Sequence, residues 1–167
     1  GMQRLNQSVM KKEKLIERPQ PLNLPEAVVR SSGVLPNFLA DNAMYLLGLD
    51  AKGDPERAIR CFESAKELHL MLLDPLQSPT AKAICSFFRS WQPADASEHV
   101  LVKPHLEGLL AGGNIVFGGI DCVFSYEDAQ IQSAWEQYRK GKESEYRSQC
   151  LVTGLAAQPI ERVHPKV

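Results

Sequence analysis

Long apolar runs, paired cysteines and an excess of one sign of charge are all missing from this sequence. No apolar stretch approaches the roughly 18 residues that a membrane-spanning helix needs, so we expect no membrane partner. The four cysteines stand far apart, without a CxxC pair or a secretory signal, which is typical of reduced thiols in a cytoplasmic protein. The formal net charge of -1 gives no overall basic field, although a local patch can still bind phosphate.

Motifs of common enzyme classes are missing as well. The sequence contains no Gly-x-Ser-x-Gly, no Walker loop and no GxGxxG. Gly112 and Gly113 follow a predicted helix and precede a predicted strand, the reverse of the order in a phosphate-binding loop, so a helix end is the better interpretation. Acidic pairs such as Glu127 and Asp128 lie at a predicted helix start, where solvated charge explains them. The sequence therefore predicts neither an enzyme nor a cofactor.

The residues that could bind a metal ion stand singly. Cys150 and His164 flank a predicted turn, but a structural zinc site needs four ligands, usually in two close pairs. His69 lies on the apolar face of a predicted helix, where a hydrogen-bonded core histidine is the expected role. The sequence therefore predicts no metal site.

The size and composition of the chain are typical of one globular domain. The 18.6 kDa chain is 44% hydrophobic and 23% charged, which is sufficient to bury a core. Pro19, Pro21 and Pro25 fall close together and predict an extended linker. We therefore expect a flexible arm and linker in residues 1–25, in which the polar start is a mobile arm or an edge strand. A single α+β domain is expected in residues 26–167.

The two ends of the sequence predict an excerpt. Gly1 before Met2 is typical of a residue left by tag cleavage, and residues 164–167 end directly after a strand-like segment. We expect the chain to be a fragment of a longer polypeptide.

The order of the predicted elements is strand, helices, hairpin, helix and strands. Apolar periodicity, caps and prolines predict helices over residues 54–74, 78–91, 94–111 (kinked or divided at Pro104) and 128–140. Strand-favouring residues predict a buried strand over 44–49, a hairpin over 114–124 and short strands over 150–154 and 160–164. The predicted fold is α+β, with a small mixed or antiparallel sheet and a β-hairpin packed with about four helices.

Polar residues flank the apolar run Met44 to Leu49, and they include two amides, cations and a glycine. These residues are Arg30, Gly33, Asn37, Asn42 and Lys52. An Asn side chain offers the donor and the acceptor that recognition of a base edge requires, while Lys or Arg binds phosphate and Gly allows close approach. The other interpretation is that both amides form Asx-turns or caps, and composition alone favours this structural role.

Short motifs over residues 26–166 occur in an order found in one protein family. They are Arg30-Ser31-Ser32-Gly33, Pro36-Asn37-Phe38-Leu39-Ala40-Asp41-Asn42, Tyr45-Leu46-Leu47-Gly48-Leu49-Asp50, Cys61-Phe62, Glu67-Leu68-His69, Trp91-Gln92-Pro93, Leu110-Ala111-Gly112-Gly113-Asn114-Ile115-Val116-Phe117, Ala134-Trp135-Glu136-Gln137-Tyr138 and Gln149-Cys150-Leu151-Val152-Thr153-Gly154. In these motifs the chain resembles the N-terminal region of the large subunit of the type I-C CRISPR surveillance complex, the Csd-type family. Ala40 departs from the family, in which Cys is common at this position.

The resemblance implies a non-catalytic subunit of an RNA-guided interference complex. Such a subunit helps to recognise the protospacer-adjacent motif in double-stranded DNA, and it helps to recruit a separate helicase-nuclease. The implied partners are other effector-complex subunits, guide RNA, target DNA and that helicase-nuclease. Base pairing with the guide recognises the long sequence, and the protein recognises only the short motif and the backbone.

With the resemblance, the favoured role of the amides changes from structural to DNA-binding. Asn37 and Asn42, with Gly33, are predicted to form or support the motif-recognising loop, while Arg30 and Lys52 contact phosphate. Two alternatives stay open. One is an assembly module that docks on neighbouring subunits and the 5′ handle of the guide RNA through exposed aromatics of the predicted helix 78–91. The other is an unrelated hydrolase or nuclease.

The DNA-binding hypothesis predicts the effect of replacing both amides. The double substitution Asn37→Ala and Asn42→Ala in the full-length subunit is expected to weaken target binding without unfolding the domain. A binding titration with correct and incorrect motifs measures the effect, and unchanged discrimination between them contradicts the hypothesis.

Overall fold

The computed structural model describes residues 2–11, 14–28, 30, 33–142, 147–148 and 158–159. The strands are β1 (Asn6–Lys11), β2 (Lys14–Pro19), β3 (Ala40–Asn42), β4 (Asn114–Val116), β5 (Arg147–Ser148) and β6 (Gln158–Pro159). The helices are α1 (Ala43–Leu47), α2 (Pro55–Leu73), α3 (Pro79–Ser90), α4 (Leu106–Leu110) and α5 (Ala129–Lys142), with single 3-10 turns at Pro93–Asp95, Lys103–His105 and Ser125–Glu127.

In the described ranges the strands pair as antiparallel twos: β1 with β2, β3 with β4, and β5 with β6. Together with the helices they confirm the predicted α+β class and its small antiparallel sheet. The β-hairpin of the fold lies at β1 and β2, in the segment for which the sequence predicted a mobile arm or an edge strand. The division of the chain at residue 25 stays a prediction.

The apolar run that was predicted as a buried strand is a helix, so that prediction is wrong. Residues 43–47 form α1 because Asn42 caps its start: Oδ1 accepts a hydrogen bond from the backbone N–H of Met44 (3.1 Å). Gly48 ends the helix in the left-handed conformation, with φ of 70°. An apolar run of this length fits a strand or a fully buried helix equally well, and here the two caps decide between them.

Helices α2 and α3 confirm their predicted starts. The carboxylate of Asp54 accepts a hydrogen bond from the backbone N–H of Arg57 (2.9 Å), and the hydroxyl of Ser78 accepts one from Ala81 (3.2 Å). A proline occupies the first helical position in both cases. The two helices pack through buried side chains that include Phe62 and Phe88, so they form one wall of the main core.

The helix predicted over residues 94–111 is present only beyond Pro104, so the prediction is wrong for residues 94–105, where only 3-10 and other turns occur. A 3-10 turn over Lys103–His105 precedes the single-turn helix α4. Proline removes a backbone donor and disfavours helix upstream, which prevents one continuous helix over the region. Val102 is buried beside α1 in a second, smaller core cluster, so this segment packs against the start of the domain.

The predicted hairpin over residues 114–124 is present only in part. Residues 114–116 form β4 as expected, but their partner is β3. The return of the chain is limited to a single antiparallel bridge between Gly118 and Phe124. Thr80 of α3 accepts a hydrogen bond from the backbone N–H of Ile120 (3.0 Å), which holds this turn on the core rather than in a ladder.

Helix α5 confirms the prediction for residues 128–140 and closes the core. Its buried face carries Ile131 and Trp135, and the ring of Trp135 stacks on Phe38 at 4.7 Å. Asp128 accepts hydrogen bonds at the start of the helix from the backbone N–H of Gln130 (2.9 Å) and from the hydroxyl of Ser78. This acidic residue therefore has a structural role, as its position at a helix start predicted.

Two other predictions fall outside the described residues, the strands over 150–154 and 160–164. The same holds for the candidate metal ligands Cys150 and His164. Within the described ranges, no helix is both long and apolar enough to cross a membrane.

His69 is a core histidine, as predicted, and it holds a strained loop. The ring is fully buried and lies against the rings of Phe38, Phe88 and Phe117. Its Nδ1 lies 2.6 Å from the carbonyl oxygen of Ala65, and its Nε2 accepts the backbone N–H of Leu39 at 3.0 Å. These contacts fit one neutral tautomer, with the proton on Nδ1.

Leu39 explains why this hydrogen bond matters. Its φ of 63° is in the left-handed region, which an L-residue with a large side chain rarely adopts. The N–H of Leu39 points to His69, while its carbonyl oxygen accepts the N–H of Phe117 (3.2 Å). The histidine therefore stabilises the sharp bend that leads the chain into β3.

Burial of His69 predicts a loss of stability in acid. Desolvation lowers the pKa of this side chain from 6.5 to about 4 in the folded protein. Between these values the unfolded chain binds a proton that the folded chain excludes. The contribution of neutral His69 to the free energy of unfolding is therefore complete above about pH 6.5, and it is lost as the pH falls through about 4. In this range the free energy of unfolding changes by at most about 1.4 kcal/mol per pH unit on account of His69.

Urea unfolding of the wild type and of His69→Gln between pH 7.5 and pH 4.5 measures this effect. The variant is less stable at neutral pH and loses less stability on acidification, because glutamine does not titrate. His105→Gln, outside the main core, is the matched control and keeps the wild-type slope. Equal pH slopes in the wild type and His69→Gln contradict the assignment.

Candidate nucleic-acid interface

A cleft of about 810 Å³ lies beside α1 and the start of α2. Its lining comprises Arg30, Gly33, Asn42, Ala43, Met44, Tyr45, Leu49, Ala51, Lys52, Asp54, Arg57, Leu109, Leu110, Ala111, Gly112 and Asn114. Four of the five residues predicted to bind DNA therefore line one cleft. Asn37 is the exception.

The loop beside the cleft is built around the buried carboxylate of Asp41. This carboxylate forms a bidentate ion pair with the guanidinium of Arg30. It also accepts hydrogen bonds from the backbone N–H groups of Asn37 and Asn42, both at 2.8 Å. Four donors thus surround one carboxylate, and the segments before and after the loop are held together.

Arg30 is engaged on all sides by this framework. Its Nε donates to the carbonyl oxygen of Leu35 (2.6 Å), and its guanidinium lies over the ring of Tyr45, 4.0 Å from the centroid. The Tyr45 hydroxyl in turn accepts the N–H of Leu35 (3.3 Å), and burial raises the pKa of this hydroxyl. The charge of Arg30 is paired and only a quarter of its side chain is exposed, so its first role is to position the loop.

The two predicted amides each bind the backbone through their carbonyl oxygen. Oδ1 of Asn37 accepts the N–H of Val28 at 2.8 Å and so ties the preceding extended segment to the loop. Oδ1 of Asn42 caps α1. The oxygen atom of each amide therefore has the structural role that composition alone favoured. The amino group of Asn42 has no hydrogen-bond partner among the described residues, and this side chain lines the cleft.

Lys52 and Arg57 carry the charges of the cleft that remain unpaired. Both are exposed, and within the described part of the chain neither side chain has an ion-pair or hydrogen-bond partner. The turn that carries Lys52 is fixed because the Asp50 carboxylate accepts its backbone N–H (2.8 Å), a bond that also lowers the pKa of Asp50. The acidic Asp54 in the cleft is committed to the cap of α2.

Sequence reasoning missed Arg57 and Asn114. Arg57 lies in the first turn of α2, and the signal that could have found it is its short distance along the chain from Lys52. Asn114 follows two glycines that the sequence analysis assigned to a helix end. Gly112 has a φ of 101°, which favours glycine and brings the chain from α4 sharply into β4.

The cleft thus combines two cations that have no partner in the described part of the chain, two amides and two small residues at its rim, Gly33 and Gly112. Such a surface can bind phosphate and hydrogen-bond to polar edges. It contains no arrangement of a nucleophile with a base. Among the residues that the structure describes, no three His, Cys, Asp or Glu side chains come together to hold a metal ion.

The geometry defines an α+β domain with a polar, cationic cleft. Beside the cleft, β3 and β4 pair although they lie far apart in the chain. The model of the CRISPR-associated protein family Cas_Csd1 matches residues 2–167, so the chain belongs to this family. The resemblance seen in the sequence is thereby confirmed, and the chain is a CRISPR-associated subunit. No curated protein matches the chain.

The Asp41 network predicts a strong effect on stability from a small substitution. Asp41→Asn removes the charge that pairs with Arg30 and replaces two acceptor positions by a donor, which leaves a half-buried cation unpaired. We expect the free energy of unfolding to fall by about 2 to 4 kcal/mol.

Asp74→Asn is the matched control, because Asp74 pairs with Arg89 on the surface, where both side chains are about half exposed. We expect it to lower the free energy of unfolding far less than Asp41→Asn does, because water screens this pair. Urea denaturation at pH 7.5 compares the two. Equal losses in both variants contradict the central role of Asp41.

Proposed function

We propose that this chain contributes to recognition of the protospacer-adjacent motif and to binding of double-stranded target DNA. It does so as a non-catalytic subunit of a cytoplasmic, RNA-guided type I-C interference complex. The implied partners are other effector subunits, the guide RNA, the target duplex and a helicase-nuclease. Membership of the Cas_Csd1 family supports the CRISPR setting. The observation that carries the DNA proposal is the cleft, where Lys52 and Arg57, without a partner among the described residues, lie beside the half-buried Asn42 and the exposed Asn114.

The chemistry of the cleft assigns a separate role to each group. Lys52 and Arg57 bind phosphates, because they are exposed and have no partner in the described ranges. Gly33 adds no side chain at the rim, and the space beside its Cα is open, so a ligand can approach the backbone there. Asn42 offers its amino group as a donor to a base edge. Asn37 and Arg30 hold the loop that presents them.

These interactions explain how the protein can do its part without recognising a long sequence. In an RNA-guided complex the guide pairs with the target strand, so the protein needs specificity for only a few base pairs. Phosphate binding sets the register of the duplex, and one or two amides suffice to distinguish bases at its edge.

A second candidate is an assembly module that docks on neighbouring subunits and the guide RNA handle. The aromatic helix first suggested for this interface does not present its rings: Phe88 is fully buried, and Phe87 and Trp91 pack partly buried against the core. The observation that favours this candidate is elsewhere, at Ile120 and Val123, which are 61% and 72% exposed. Binding of motif-containing duplex by the isolated subunit separates the two, because an assembly module shows no motif preference.

The proposed phosphate binding predicts a change in salt dependence. The double substitution Lys52→Gln and Arg57→Gln removes two cations from the cleft, so we expect duplex affinity to fall for all motifs alike. The slope of log affinity against log salt is expected to flatten by about 0.9 for each phosphate that the variant leaves unneutralised. A titration between 50 and 200 mM salt on the assembled effector complex measures both quantities.

The matched control replaces two cations outside the cleft, Lys66→Gln and Lys82→Gln. We expect this variant to keep the wild-type affinity and slope. If the cleft and control variants behave alike, the cleft does not bind the duplex backbone, and the proposed function is wrong in its main point.

A further inference from the structure

The ladder between β3 and β4 places a second amide directly beside Asn42. In the antiparallel register Asn42 lies opposite Asn114. Phe117 donates its backbone N–H to Leu39 across the same ladder, so the hydrogen-bonded pairs continue at Asp41 and Ile115. Asn42 and Asn114 are therefore a pair without mutual backbone hydrogen bonds, the type in which the side chains lie closest, with Cα atoms about 4.5 Å apart.

Opposed residues of such a pair project from the same face of the ladder. Both residues line the cleft, which is consistent with a shared direction. The neighbouring pair of the ladder, Asp41 and Ile115, projects to the other face. There Asp41 is buried in its ion pair and Ile115 packs against the core. The amide pair therefore lies on a ladder whose opposite face is packed against the interior.

The two amides differ in what they can offer to a ligand. The carbonyl oxygen of Asn42 already accepts the N–H of Met44, so its amino group is the atom that remains. Asn114 is exposed, and neither its oxygen nor its nitrogen has a hydrogen-bond partner in the part of the chain that the structure describes. Only Asn114 retains both the donor and the acceptor that a bidentate interaction with adenine N6 and N7 requires.

We propose that Asn114 is a specificity-determining residue of the cleft, and that it recognises a base edge of double-stranded DNA beside the donor of Asn42. This inference rests on the proposed function. The distance between Asn114 and Asn42 is similar to, or slightly greater than, the step of about 3.4 Å between successive base pairs. The two side chains therefore face the same or adjacent base pairs. The acceptor-and-donor pattern of Asn114 matches an A·T pair in the major groove.

The proposal is tested by substituting Asn114 with Ala and, separately, with Thr. The second variant favours a strand and lacks the amide, so it keeps β4 formed if Ala weakens the ladder. Asn23→Ala is the control, since Asn23 is an exposed asparagine outside the cleft. Affinities are measured on the assembled effector complex, with duplexes in which each position of the motif is varied in turn.

We expect both Asn114 variants to lower affinity for the preferred motif by roughly tenfold or more, and to remove the preference at one or two adjacent positions. The salt slope stays that of the wild type, and the control changes nothing. Preserved preference in both Asn114 variants overturns the inference, as does a uniform loss with a flattened slope. If Lys52→Gln with Arg57→Gln still weakens binding, only the role of Asn114 has failed. If neither set changes duplex binding, the proposed function itself has failed.

Discussion

The carboxylate of Asp41 is the group on which the geometry around the cleft depends. It gathers the guanidinium of Arg30 and two backbone N–H groups, and it does so in the interior, where an unpaired charge is unfavourable. Because Asp41 lies in the middle of β3, its hydrogen bonds fix both the incoming segment and the start of α1. His69 acts on the same turn from the opposite side, through the N–H of Leu39. A polar cluster and an aromatic core thus determine one bend.

Polar groups near the cleft divide into those that are used by the protein and those that are left for a ligand. Arg30 and Asn37 are used: each binds backbone groups of its own loop. Lys52, Arg57 and Asn114 have no partner among the described residues and line the cleft. This division follows from hydrogen-bond satisfaction. A buried polar group must be paired within the protein, whereas an exposed one can bind water or a ligand.

The sequence predicted the long helices, whose start signals are local and strong, and missed the strand pairing that depends on distant partners. The short helix α1 was also missed, although its caps are local, because an apolar run of this length also fits a strand. Asp54 and Pro55 specify the start of α2 within one turn, so the helix was predicted with its boundary. The pairing of β3 with β4 joins segments far apart in the chain, and strands of three residues are too short to show a period. For the same reason Asn37, Asn42 and Lys52 were found as polar residues, but the cross-strand neighbour Asn114 was not.

Asn42 combines two tasks in one side chain, since it caps α1 and lines the cleft. Only a few residue types make good caps, and each presents a different group to a ligand. If the cleft binds DNA as proposed, a substitution at this position changes folding stability and ligand preference together. Asn114 is exposed on β4 and has no such double task. The two positions thus differ in how freely evolution can change them. Asn42 is constrained by its cap on α1, whereas Asn114 is free to change towards a new ligand preference.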